Sequence, residues 1–136
     1  MAGHAVLREV SLALPMVADM EIAATKPVTS LAEFMKMSPD KVDEIRFAVV
    51  EACINAFEHS HAPDGMVHLT FSVLGDEEPE TLRITVRDHG VGFDPANPPA
   101  SRPHGGNGFK IIRGLMDEVT IQSGGDGTTV VMSKAR

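Results

Sequence analysis

Residues 51–59 read EACINAFEH. They lie within the longer run PDKVDEIRFAVVEACINAFEHSH, where Phe47, Val50, Ile54 and Phe57 recur at three- and four-residue steps. That spacing predicts a helix with these four residues as its core-facing stripe. Ala48, Val49, Ala52, Cys53 and Ala56 make much of the remaining surface small or apolar, so the helix is expected to be covered on most sides. Yet Glu51, Asn55 and His59 align at i, i+4 and i+8 along one edge. A carboxylate, an amide and an imidazole in a row on a covered helix need a reason to be there.

The flanking sequence supports the helix. Ser38 and Pro39 form an N-cap and first-turn pair, and Pro63-Asp64-Gly65 ends the element after about Ser60. Upstream, AVLREVSLAL (5–14) alternates as a first strand. A helical pattern then opens at Pro15 and passes through Met20, Ala24, Val28, Leu31 and Met35, with a kink or break expected at Pro27. Downstream, MVHLTFSVL (66–74) and TLRITVRD (81–88) alternate as the two arms of an antiparallel hairpin. Residues 93–106, FDPANPPASRPHGG, are too rich in proline and small residues for regular structure. Helical character returns in GFKIIRGLM, and DEVTIQS and TTVVMSK form a last hairpin around GGDG. Helices layered on one face of a sheet would bury these stripes.

At 136 residues the chain fits one domain, 1–136. It is 43% hydrophobic with a mean hydropathy near zero, which is the composition of a globular domain. No apolar run is long enough to span a bilayer and no secretory signal is visible, so no membrane association is expected. A single cysteine leaves no internal disulfide framework and fits a cytoplasmic location. A net charge of −7 argues against direct nucleic-acid binding, which needs a basic face.

Two glycine-bearing motifs carry chemistry. DHGVGF (88–93) follows the second strand of the hairpin. Asp88 can accept a hydrogen bond only from a donor, such as the exocyclic amine of adenine, while Gly90 and Gly92 let a flat ligand approach the backbone. Alone, D-x-G-x-G reads first as a local turn. GGNGF (105–109) precedes a helical run, where Gly105, Gly106 and Gly108 would admit phosphates to backbone N–H groups. Alone, it reads first as a glycine-rich helix entry with no ligand. His59 and His61 are too close in sequence to chelate a metal from one helix, and His4, His68, His89 and His104 are expected to form no ligand cluster.

Taken in order, E-x-x-x-N-A-x-x-H, D-x-G-x-G, GGxGF and a strand opening Gly127-Thr128-Thr129 resemble the GHKL, or Bergerat-fold, ATP-binding superfamily over residues 5–134. Within it the chain is most similar to the stand-alone anti-sigma-factor serine/threonine kinases. The resemblance implies an α+β fold: a two-layer α/β sandwich with a mixed, mainly antiparallel sheet covered on one face by about three helices. It implies ATP and Mg²⁺ as cofactors, with Asn55 as the metal ligand and Glu51 as the base that takes the proton of a protein hydroxyl. Asp88 would read adenine, with Thr128 assisting. Gly90 and Gly92 would shape the base pocket, Gly106 and Gly108 would face the phosphates, and His59 would lie further along the pocket edge. The implied partners are a sigma factor, held inactive, and an anti-anti-sigma antagonist phosphorylated on Ser or Thr; a homodimer is also implied. Related kinases carry an arginine before the second glycine motif, where this chain has His104, with Arg102 two residues earlier. Two alternatives accompany this reading: a nucleotide-dependent binding module without phosphotransfer, and a histidine-kinase-type catalytic domain acting in trans.

Overall fold

A computed structural model describes residues 5–94, 96 and 108–136. Five strands form one sheet: β1 (Ala5–Pro15), β2 (Met66–Gly75), β3 (Pro79–Asp88), β4 (Glu118–Gly124) and β5 (Gly127–Ala135). They lie in the order β1-β2-β3-β5-β4, and every pairing is antiparallel. The expected α+β sandwich is present, although the sheet is wholly antiparallel where a mixed one was expected. The hairpins β2–β3 and β4–β5, the long return from β1 to β2 and the connection from β3 through the later elements to β5 supply every neighbour without a parallel crossover.

The helices are α1 (Met20–Ala23), α2 (Thr25–Met35), α3 (Pro39–His59) and α4 (Gly108–Leu115). The sequence places the upstream break at Pro27, but the chain breaks at Ala24. Pro27 then falls in the first turn of α2, where a missing N–H leaves no intrahelical bond unmade. Ser38 caps α3 by accepting the Lys41 N–H at 3.4 Å, with Pro39 opening the helix.

The buried face of α3 differs from the expected stripe. Ile45, Ala48, Val49, Ala52, Cys53 and Ala56 are buried, whereas Phe47 is 54% exposed and Val50, Ile54 and Phe57 are only partly covered. Small side chains bring the helix close to the sheet, and the bulky stripe is turned toward the groove beside α1 and α2. The core beneath α2 and α3 is built from the inward residues of the strands: Val67, Leu69, Phe71 and Val73 on β2, Leu82, Ile84 and Val86 on β3, and Met132 on β5. Alternation puts His68, Thr70, Thr85 and Arg87 on the other face, so the helices cover one face only. Among the described residues, no helix is long and apolar enough to cross a membrane.

Candidate functional site

At the end of β3, Asp88 stands opposite Val67 on β2 and Thr128 on β5, and Thr128 stands opposite Ser123 on β4. Asp88, Thr128 and Ser123 thus form a cross-strand row at one end of the sheet. The last turn of α3 lies over this row. Asn55, His59, Ser60, Asp88, Gly92, Phe93, Phe109 and Thr128 line a single cleft, with Ala52, Ala56, Val86 and Val130 as its apolar walls.

Asp88 is buried at 5% exposure. Its Oδ1 accepts the Gly90 N–H at 2.9 Å, which fixes the carboxylate and the following turn together. The Val91 N–H reaches the Ser60 carbonyl at 2.8 Å, tying that turn to the end of α3. Glycine is required here by protein contacts. A Cβ at Gly90 would fall on the carbonyl and hydroxyl of Ser60, and one at Gly92, where φ is +74°, would fall on the Gly124 carbonyl. Gly90 thus lets the strand end close against α3, while Gly92 lines the cleft itself.

Thr128 does not act alone. Its Oγ1 lies 2.7 Å from Ser123 Oγ, and Ser123 Oγ accepts the Phe93 N–H at 2.7 Å. If Ser123 donates to Thr128, the Thr128 hydroxyl hydrogen is available to the cleft. Ser123 and Ser60 have no motif signature, because an isolated serine in a strand or at a helix end looks like any surface hydroxyl until the fold positions it. Phe93 and Phe109 also escaped the sequence reading. Their rings, 5.4 Å apart between centroids, come from the two glycine motifs and meet beside the cleft.

Asn55 Oδ1, His59 Nε2 and Ser60 Oγ are buried and have no hydrogen-bond partner among the described residues. Such groups are costly to bury without a partner. Glu51, one turn earlier and 2% exposed, does not line this cleft. It lines the neighbouring groove with Ile22, Thr25, Asp43, Arg46, Phe47 and Val50. Gly108 is buried at the start of α4. Gly105, Gly106, His104 and Arg102 lie outside the described residues.

One expectation is corrected. His68 and His89 do converge, joining Asp64 on the outer side of the same strand end. Strand pairing makes them diagonal neighbours, a proximity that sequence separation conceals.

A helix laid over the open end of an antiparallel sheet, with a carboxylate-bearing strand end beneath it, fits the GHKL, or Bergerat-fold, class that the motifs resemble. The sequence profile of the "Histidine kinase-like ATPase domain" matches residues 16–134, and the chain belongs to that family. It is 36% identical over 137 residues to an anti-sigma F factor of Oceanobacillus iheyensis, covering 93% of this chain and 91% of that one. It is 31% identical over 121 residues to the serine-protein kinase RsbW of Bacillus subtilis, covering 79% and 72% respectively. Among solved structures, the RsbU and RsbW domains of a Mycobacterium tuberculosis protein share the fold. Their TM-score is 0.70 at 18% identity, over 95% of this chain and 33% of that one. The histidine kinase domain of an Erythrobacter litoralis blue-light-activated kinase matches at a TM-score of 0.56 and 24% identity, over 84% and 60%.

Proposed function

We propose that the chain is an ATP- and Mg²⁺-dependent serine/threonine protein kinase that holds a sigma factor, or a similar target, and phosphorylates that target's protein antagonist. The observation that carries this is the convergence of Asp88, Thr128 and the partnerless Asn55 oxygen in one cleft. A buried carboxylate oxygen recognises a donor, which matches the adenine amine and not the guanine carbonyl. A buried amide oxygen suits Mg²⁺, which takes oxygen ligands and keeps several waters. ATP supplies the transferable phosphoryl group and Mg²⁺ offsets its charge.

The residues divide the work. Asp88, held by the Gly90 N–H, orients the base. Thr128, positioned by Ser123, offers a hydroxyl beside it. Asn55, one helical turn from Glu51, would hold the metal, and the start of α4, where Gly108 and Phe109 are buried, would face the phosphates. The cleft now holds a cavity of only about 20 Å³, room for about one water. A purine would need the cleft to widen beyond this. Glu51 opens on the groove beside α1 and α2, so the substrate hydroxyl would come from that side, lose its proton to Glu51 and take the γ-phosphoryl group of ATP as its bond to the departing ADP breaks. The relatives named as a serine-protein kinase and an anti-sigma factor support the partner assignment.

That same placement of Glu51 outside the cleft favours a second reading, a nucleotide-dependent binding module without transfer. Radiolabelled ATP incubated with the cognate antagonist separates the two. Acid-stable label on the antagonist supports the kinase, and tight binding without label supports the module. Acid-labile label would indicate phosphohistidine and overturn both.

A further inference from the structure

On the outer side of the strand end, Asp64, His68 and His89 bring one carboxylate and two imidazoles together, with ligating atoms all within 4.8 Å of one another. We propose that these three side chains form a binding site for a borderline transition-metal ion, zinc in the first instance, separate from the magnesium position at Asn55.

The backbone sets this geometry. His68 pairs with Arg87 across β2 and β3, and His89, two residues beyond Arg87, projects to the same face as the diagonal neighbour of His68. Asp64 sits in the turn that leads into β2, held there because its Oδ1 accepts the Met66 N–H at 3.0 Å. Its Oδ2 faces His68 Nε2 at 3.4 Å. That is long for a charge-assisted hydrogen bond, which runs ~2.7–2.9 Å. It equals the edge of a tetrahedron around an ion bound at ~2.0–2.1 Å, where ligands stand ~3.4 Å apart. The imidazole rings lie 5.4 Å apart between centroids and edge to face, so modest rotation of exposed side chains closes the third corner.

Charge is arranged for a cation. The Asp64 carboxylate is exposed, and with one oxygen pinned by the Met66 N–H it presents the other to His68. Arg87, the cation beside His68 on the same face, is drawn away because its guanidinium donates to Thr129 Oγ1 at 2.8 Å on the far strand. Two nitrogens and one oxygen suit zinc, cobalt or nickel, whereas magnesium and calcium prefer oxygen. Three protein ligands leave further positions for water.

Asp88 and His89 are consecutive, so alternation aims the carboxylate into the cleft and the imidazole out of the other face. An ion on His89 would therefore brace the strand end that carries Asp88. This consequence rests on the nucleotide reading, but the metal site does not, and the two are tested apart.

The test is calorimetric titration of ZnCl₂ into the nucleotide-free chain at neutral pH, beside His68→Gln, His89→Gln, Asp64→Asn and, as a control, His61→Gln. Asp64→Asn keeps an oxygen for the Met66 N–H, so the turn survives. The expected result is one equivalent bound with micromolar affinity, weakened at least ~10-fold in the first three variants and unchanged in the control. Cobalt in place of zinc should give visible absorption bands that disappear in His68→Gln and His89→Gln. Absence of zinc binding by folded protein, or equal affinity in wild type and His68→Gln, overturns the proposal. So does a loss seen only in His61→Gln.

Discussion

Asp88→Asn is the sharpest perturbation of the proposed nucleotide site, because the structure predicts what it leaves intact. Asp88 Oδ1 accepts the Gly90 N–H at 2.9 Å within a buried turn, and an asparagine oxygen can take that role. Stability without nucleotide should then change by less than ~1 kcal/mol, the scale of one net hydrogen bond. The other position becomes an NH₂ group that meets the adenine amine donor to donor. If the amide flips to restore an acceptor, the Gly90 N–H loses its partner inside the protein. Either way a hydrogen bond to a charged group is lost, ~1.5–3 kcal/mol, or ~10- to 150-fold in ATP affinity. Discrimination against GTP should narrow as well, since the amide N–H matches the guanine carbonyl. Calorimetry with ATP and GTP in magnesium buffer, paired with urea denaturation of the apo protein, reads all three quantities. ATP affinity within ~2-fold of wild type, equivalent to ~0.4 kcal/mol, would remove Asp88 from base recognition. A fall in affinity matched by an equal loss of stability would instead mean that the turn had collapsed.

Further outcomes follow from other positions. Glu51→Gln should lower phosphotransfer to the antagonist by ~100-fold or more while leaving ATP affinity nearly unchanged, as expected of a proton acceptor; equal losses in both would refute that role. Gly90→Ala drives a methyl into the Ser60 backbone and should cost ~1–3 kcal/mol by overpacking, measured by urea denaturation; an unchanged midpoint would contradict the close approach. Cys53 is fully buried, and burial, with the Glu21 charge adding, pushes its thiol up to about 12. Thiol reagents should therefore react only after denaturation. The pH dependence has a definite sign: above the ordinary thiol value, ~8.5, only the unfolded chain releases the proton. Stability from this group is intact below that value and falls by up to ~1.4 kcal/mol per pH unit until about 12. Cys53→Ala should remove that slope, and a slope that persists in it would assign the effect elsewhere.

Local sequence was sufficient for the elements and for the motifs. Alternation marked the hairpin of β2 and β3, Ser38-Pro39 marked the start of α3, and the spacing of Glu51, Asn55 and His59 marked a helix with polar work to do. These features are legible because periodicity, caps and turns are decided by residues within a few positions of one another. The order of the motifs also carried the family, since each had to fall on a particular element.

Other features depended on contacts between distant segments. The burial of Ala48, Ala52 and Ala56 in place of Phe47 depends on how closely α3 approaches the sheet, which no helical spacing encodes. The break at Ala24 rather than Pro27 reflects proline's tolerance in a first turn. Ser123 joins the site only because β4 pairs with β5, and Glu51 faces a different groove from Asn55 because α1 and α2 pack beside it. Asp64, His68 and His89 look scattered along the chain until antiparallel pairing makes them neighbours. Sequence thus determined which polar groups each element carries, and tertiary packing decided which of them share a cavity, because side chains meet across strands and helices and not along the chain.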